Sequence, residues 1–99
     1  MTVRENAIMQ ADSILCAMSD RQKRTVALRH TYGVAALCAM LAAKRGLDVQ
    51  LCELMGLMHD LYTFKTGHKN NHSYNGADMA RIMLKRAGME ETQYAIIAN

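Results

Sequence analysis

The stretch LMGLMHDLYTFKTGHKNNHS, residues 54–73, contains most of the information about how this 99-residue chain folds. It opens with bulky apolar residues, which is typical of a buried helix, and that run ends in the adjacent pair His59 and Asp60. Three of the four histidines of the chain fall within the stretch, and the fourth, His30, lies far upstream. The pattern indicates either polar residues beside a core or a site that needs nitrogen and oxygen ligands.

The composition favours an all-helical fold. The chain has no proline and nine methionines, and 51% of its residues are hydrophobic. A chain of this length can bury one core of its own. The three cysteines are odd in number and lack zinc-site spacing, so we interpret them as reduced, buried thiols.

The charge and the termini limit the classes of function. The net charge is only +3, and no cationic run exceeds RQKR at residues 21–24, which argues against a strongly basic nucleic-acid arm. Residues 1–10 lack the apolar core of a signal peptide. We find no apolar run of the roughly 18–20 residues that a membrane span requires. We therefore expect a cytoplasmic protein with no membrane partner.

Apolar spacing and capping residues place the helices. The predicted segments cover approximately residues 3–18, 22–45, 49–59, 71–87 and 89–99, with a loop at 62–71. No repeat or long linker divides the chain. We predict one all-α bundle of about five helices, a single domain over residues 1–99.

The second predicted helix carries His30 on what reads as its buried face. That face is an apolar stripe spaced by threes and fours: Val26, His30, Gly33, Val34, Leu37 and Leu41. Gly33 costs roughly 1 kcal/mol relative to alanine in a helix, and its position would let another backbone or a bound group approach. The alternative for His30 is a core histidine bonded to a backbone carbonyl.

His59 and Asp60 stand at the end of the third predicted helix. An ionised carboxylate near the core and at a helix C-terminus is costly unless a cation neutralises it. Imidazole and carboxylate together suit divalent transition metals better than calcium. The alternative for Asp60 is that its side chain caps the loop that follows.

The remaining polar residues of the stretch extend this hypothesis. The apolar stripe of the next helix, projected backwards, directs His72 into the bundle as a further ligand. His68 is a ligand, a proton shuttle or a surface residue, with the surface as the default. Lys65 and Lys69 would hold an anionic substrate such as a phosphate, or would form a solvated loop.

Three motifs together resemble a known family. They are RHTYGVAALCAMLA at residues 29–42, LMGLMHDLY at residues 54–62 and NHSYNGADMARIML at residues 71–84. This combination resembles the HD-domain metal-dependent phosphohydrolase superfamily, and is similar to its small bacterial branch that includes dinucleoside-tetraphosphate hydrolases. The resemblance covers the chain from about residue 20 to its end.

The resemblance implies an all-helical HD domain with a metal site. Its ligands would be His30, His59, Asp60 and His72, with Asp60 also the catalytic residue. The metal would be one or two divalent transition ions (Fe, Mn, Co or Ni, with Mg as an alternative). A metal-activated water would attack the phosphorus of a nucleotide or another phosphate ester.

In this family a further helix supplies a closing aspartate, whereas the present chain ends at Asn99 as that helix begins. We therefore expect a C-terminally truncated HD domain, and an apolar surface left by the missing helix would favour a homodimer. The enzyme hypothesis has two alternatives. One is a non-catalytic module that binds a nucleotide or partner with an incomplete metal site. The other is a nucleic-acid binder suggested by RIMLKRAGM at residues 81–89, which the scattered charge makes the weakest.

Overall fold

The computed structural model of the chain describes residues 1–67 and 72–98, with the side chains of residues 1–67 and 76–96. Over these residues it is an all-α bundle without strands, which confirms the predicted fold class. Five helices have eight or more residues and a sixth has six. They are α1 (Val3–Cys16), α2 (Arg21–Arg45), α3 (Val49–Met58), α4 (Leu61–Thr66), α5 (His72–Arg86) and α6 (Glu91–Ala98).

Local capping chemistry sets several of the helix ends. Thr2 and Glu5 form a reciprocal capping box at the start of α1. The side chains of Asp20 and Asp48 accept hydrogen bonds from backbone N–H groups in the first turns of α2 and α3. Gly46 ends α2 in the left-handed conformation, at φ 71°. The caps at Asp20, Asp48 and Gly46 are the signals from which the sequence predicted the same boundaries to within a few residues, whereas the capping box of α1 was not predicted.

The core is built from small and medium apolar side chains contributed by five of the helices. Its largest fully buried members are the leucines at 15, 54, 57, 61 and 84, each no more than 1% exposed. Ala7, Ala11 and Leu15 form the buried stripe of α1, and Ala80, Met83 and Leu84 form that of α5. Burial of these stripes orients both helices towards the centre of the bundle.

The predicted buried face of α2 is wrong. Its buried residues are Ala27, Thr31, Ala35 and Ala42, whereas Val26, Leu37 and Leu41 of the predicted stripe are 63%, 54% and 41% exposed. α2 is apolar on both sides, so spacing alone did not identify the face that packs inward. The small side chains face inward because they allow α3 to approach closely. The larger ones line the outer side, together with His30.

The length and apolar character of α2 also contradict the expectation that no such run exists. By length and composition alone, α2 could cross a membrane. Core helices of soluble proteins meet the same criterion. In this fold α2 packs against α3 and α1 through its alanine face. Composition therefore decides nothing about membrane association.

α4 occupies residues that the sequence predicted to be part of a loop. Leu61 is completely buried, and its position fixes the helix against α1 and α5. The left-handed Gly67, at φ 76°, then ends the helix after six residues. Such a short helix depends on tertiary packing, because isolated helices of this length are unstable in water.

The close approach of α2 and α3 depends on Gly56. A Cβ atom added at Gly56 would lie 2.9 Å from Cys38 Sγ, 3.0 Å from the Val34 carbonyl oxygen and 3.1 Å from Ala35 Cα. Two of these three neighbours are backbone atoms, so they cannot move without displacing α2. By contrast, a Cβ added at Gly33 on the outer side of α2 would have no neighbour within 4 Å.

The two glycines therefore give a matched pair of substitutions. We expect Gly56→Ala to destabilise the protein by about 1–3 kcal/mol through overpacking. Gly33→Ala should instead stabilise it by about 0.5–1 kcal/mol through helix propensity. Urea denaturation followed by circular dichroism measures both changes. Equal stability of the two variants would contradict the close packing of α2 on α3 at Gly56.

A hydrogen bond between helices joins Tyr32 of α2 to Asp12 of α1. The Tyr32 hydroxyl donates to Asp12 Oδ1 at 2.7 Å. Partial burial, and next the hydrogen bond to Asp12, raise the pKa of Tyr32 above its ordinary value. The protonated phenol is therefore more stable in the folded chain than in the unfolded chain.

This bond predicts a pH-dependent contribution to stability. A raised folded-state pKa stabilises the fold below the unfolded pKa of about 10, and that stabilisation is lost as pH rises further. Tyr32→Phe should cost about 1 kcal/mol at pH 7. The difference from the wild type should shrink between pH 9 and 11 in denaturation titrations. A difference independent of pH over this range would show that Tyr32 does not donate this bond.

Candidate metal centre

Three side chains from separate elements converge on one point at the surface of the bundle. His30 Nε2 lies 3.0 Å from His59 Nε2 and 3.0 Å from Asp60 Oδ2. His59 Nε2 lies 3.0 Å from the same Asp60 oxygen. The three atoms therefore form a nearly equilateral triangle, which we call the His30–His59–Asp60 triad. Within the described part of the chain, it is the cluster of histidine, cysteine and acidic residues whose geometry could hold a metal ion.

The helical conformation is interrupted between α3 and α4, and this interruption lets two consecutive residues contribute to the triad. His59 keeps helical dihedral angles, but Asp60 adopts φ −120° and ψ 9°, outside the helical region. The carboxylate of Asp60 makes no capping hydrogen bond to α4, although Asp60 occupies its N-cap position. The alternative that this side chain caps the following segment is thus not what the structure shows. The carboxylate lies beside the two imidazoles instead.

A hydrogen bond to the backbone fixes the ring of His59. Its Nδ1 lies 2.6 Å from the carbonyl oxygen of Gly56, one turn earlier in α3. A carbonyl oxygen only accepts, so Nδ1 carries the proton and donates it. In the neutral ring, Nε2 then presents its lone pair to the triad. Metal-binding histidines use this arrangement, in which the second nitrogen is held by a carbonyl or a carboxylate.

His30 lies at the protein surface, so the prediction that it points into the core is wrong. Its side chain is 42% exposed, compared with 35% for His59 and 30% for Asp60. His30 reaches the triad from the outer side of α2, since the alanine face of that helix packs inward. The Phe64 ring stands edge-on to His30 with centroids 6.0 Å apart, which restricts the imidazole orientation. A partly exposed triad remains open to water and to small anions.

The triad fits a divalent ion by donor type and by spacing. Donor atoms bound about 2.1 Å from an ion, at right angles to one another, lie about 3.0 Å apart. That separation matches all three edges of the triad. Two imidazole nitrogens and one carboxylate oxygen suit divalent transition metals. With neutral imidazoles the donors carry one negative charge, so a bound divalent ion would leave the site positive.

Of the other site residues predicted from the sequence, only Lys65 has a described side chain. The side chains of His72, His68 and Lys69 lie outside the described residues. Lys65 is exposed on α4, the helix that begins directly after Asp60. Its predicted contact with a substrate stays a prediction.

Two supporting residues were not identified from the sequence. The Gly56 carbonyl orients His59, and the Phe64 ring contacts His30. A glycine three residues before a histidine gives no recognisable signal, since any backbone carbonyl at that position could accept the bond. Phe64 lay in a segment predicted to be a loop, where an aromatic residue has no assigned direction.

Known proteins are similar in sequence to the region of this chain that contains the triad. The family model described as HD domain matches residues 27–99 and so includes the triad. Ribonuclease Y of Lawsonia intracellularis is 36% identical over 74 residues, which is 73% of this chain and 14% of that protein. Ribonuclease Y of Desulfotalea psychrophila is 36% identical over 75 residues, or 73% of this chain and 13% of that protein.

The chain therefore spans about one seventh of the length of these curated relatives. No solved structure matches significantly. The family match covers far more than half of the chain, and the relatives align with most of the same region. The resemblance inferred from three short motifs is thus confirmed at the level of the superfamily. The chain belongs to the HD domain family.

Proposed function

We propose that the protein is a metal-dependent phosphohydrolase that acts on a nucleotide or another phosphate ester. One observation carries the proposal, namely the triangle of two imidazole nitrogens and one carboxylate oxygen with 3.0 Å edges. The metals that best fit these donors are Fe, Mn, Co and Ni, with Mg as an alternative. A single ion needs only the triad, and a second ion would require further ligands such as His72.

Each residue of the triad has a definable part in this chemistry. When bound, a divalent ion acidifies a water molecule and binds phosphate oxygens. His59 offers a fixed lone pair because Gly56 holds its other nitrogen. Asp60 supplies the negative charge that attracts a divalent cation to this point, and it is the residue we assign as catalytic. Lys65, exposed on the helix that follows Asp60, would attract the substrate anion.

A second candidate substrate is the phosphodiester of RNA. The names of the ribonuclease Y relatives favour it. The modest charge of +3 is weak support for binding a polyanion, so we place a small phosphate ester first. The same triad would serve either substrate, since both reactions break a bond between phosphorus and oxygen.

Metal content provides the first test. We expect the purified protein to bind about one equivalent of Mn²⁺ or Co²⁺ in equilibrium dialysis followed by elemental analysis. His30→Ala and His59→Ala should each weaken binding by about 100-fold or more, beyond the 10–100-fold that loss of a supporting partner costs. Arg29→Ala, an exposed neighbour on α2, is the matched control. Equal metal content in His30→Ala and in the wild type would refute the triad as a metal centre.

Hydrolysis provides the second test. Metal-loaded protein should release phosphate from 4-nitrophenyl phosphate or a nucleoside phosphate, and Asp60→Asn should reduce kcat/KM by about 100-fold or more. Cleavage of labelled single-stranded RNA, without hydrolysis of the small esters, would favour the second candidate. A nucleotide that raises the melting temperature of the metal-loaded protein without being cleaved would instead identify a non-catalytic binding module.

A further inference from the structure

A groove beside the triad has no assigned role. It encloses about 740 Å³ between the end of α1, the start of α2 and the outer side of α4. Its apolar lining includes Ile14, Met18, Val26 and Phe64, and its rim includes Lys23 and Lys65. The volume lies within the range of small-molecule sites, which are mostly apolar with a few polar groups.

Two residues that line the groove, Val26 and Phe64, are neighbours of His30. Val26 lies on α2 one turn before His30, so the two side chains project from the same side of that helix. Phe64 lines the groove and also stands edge-on to the His30 ring, at 6.0 Å between centroids. A ligand that reached the triad could therefore extend along α2 into the groove.

The charges of the groove favour an anionic ligand with an apolar portion. Lys23 and Lys65 are both exposed, and neither forms an ion pair with an acid among the described residues. Asp20 also lines the groove, but its carboxylate accepts a hydrogen bond from the Lys23 backbone N–H at 3.0 Å. Two cations against one carboxylate leave the rim positive, next to a floor of aliphatic, aromatic and thioether groups.

We propose that this groove binds the organic group of the substrate and selects phosphate esters that carry an aromatic ring. The inference rests on the proposed function, because the phosphate of the same molecule would lie at the triad. An aromatic ring gains from contact with Phe64 and with the thioether of Met18, and both groups bury its apolar faces. Small alkyl phosphates would reach the triad but leave the groove in contact with water.

Binding of two inert phosphonates tests this selection without requiring turnover. The probes are naphthylphosphonate and methylphosphonate, titrated calorimetrically into the full 99-residue chain loaded with Mn²⁺. We expect naphthylphosphonate to bind at least about tenfold more tightly, since apolar pocket contacts discriminate by about that factor or more. In NMR spectra of the metal-free protein, the methyl signals of Ile14 and Val26 should shift on addition of naphthylphosphonate and should not shift on addition of methylphosphonate.

Val26→Gln is the decisive variant, because a side chain that is 63% exposed can be replaced without disturbing the core. It should weaken naphthylphosphonate binding by about threefold to tenfold and leave methylphosphonate binding unchanged. Met40→Gln, at a 69% exposed position further along α2, is the matched control and should change neither affinity. Phe64→Leu, which keeps an apolar side chain, should also lower the preference for the aromatic probe.

The remaining outcomes separate this inference from the proposed function. Equal affinities for the two phosphonates, no binding of either, or an aromatic preference that survives Val26→Gln would each overturn the groove as a specificity site. If metal-dependent hydrolysis of methyl phosphate persists in that case, the proposed function is retained and the role of the groove is rejected. An aromatic preference without hydrolysis of any ester would retain the groove and reject the hydrolase.

Discussion

The close contact of α2 with α3 at Gly56 is the constraint on which the site depends. Glycine at this position lets the Val34 and Ala35 backbone approach α3 more closely than any side chain would allow. His30 lies one turn before Val34, and His59 lies three residues after Gly56, so the same contact sets the separation of the two imidazoles. The Gly56 carbonyl also accepts the hydrogen bond from His59 Nδ1. One residue therefore governs both helix spacing and ring orientation.

The contact at Gly56 brings together groups that are costly to place side by side, because a carboxylate and two imidazoles lie within 3.0 Å of one another. Without a cation and with neutral imidazoles, only His30 Nε2 can bring a proton into the triad, because His59 donates its own proton to the Gly56 carbonyl. That one proton is all that His59 Nε2 and the Asp60 carboxylate have to share. Proteins tolerate such crowding where a ligand compensates for it. Because the triad is partly exposed, the loss of solvation is moderate, and water or a phosphate oxygen can approach.

The sequence predicted those parts of the fold that local chemistry determines. Capping residues such as Asp20 and Asp48 predicted where α2 and α3 begin, and the superfamily was inferred from the resemblance of three short motifs to known members. The prediction of the buried face of α2 was wrong because that helix is apolar on both sides. Only the contact with α3 distinguishes the buried side from the exposed side. α4 was missed because six residues give too little periodicity. The 3.0 Å triangle depends on contacts between distant segments, so spacing could suggest it but not establish it.

α4 connects the groove with the triad. It starts where Asp60 breaks the path of α3, which directs the carboxylate towards the imidazoles. It is anchored by the buried Leu61, and it presents Phe64 both to His30 and to the groove. A ligand that moved Phe64 would therefore act on the orientation of a triad residue as well as on its own binding. Since a helix this short owes its stability to packing, occupation of the groove should also make α4 more rigid and the triad better ordered.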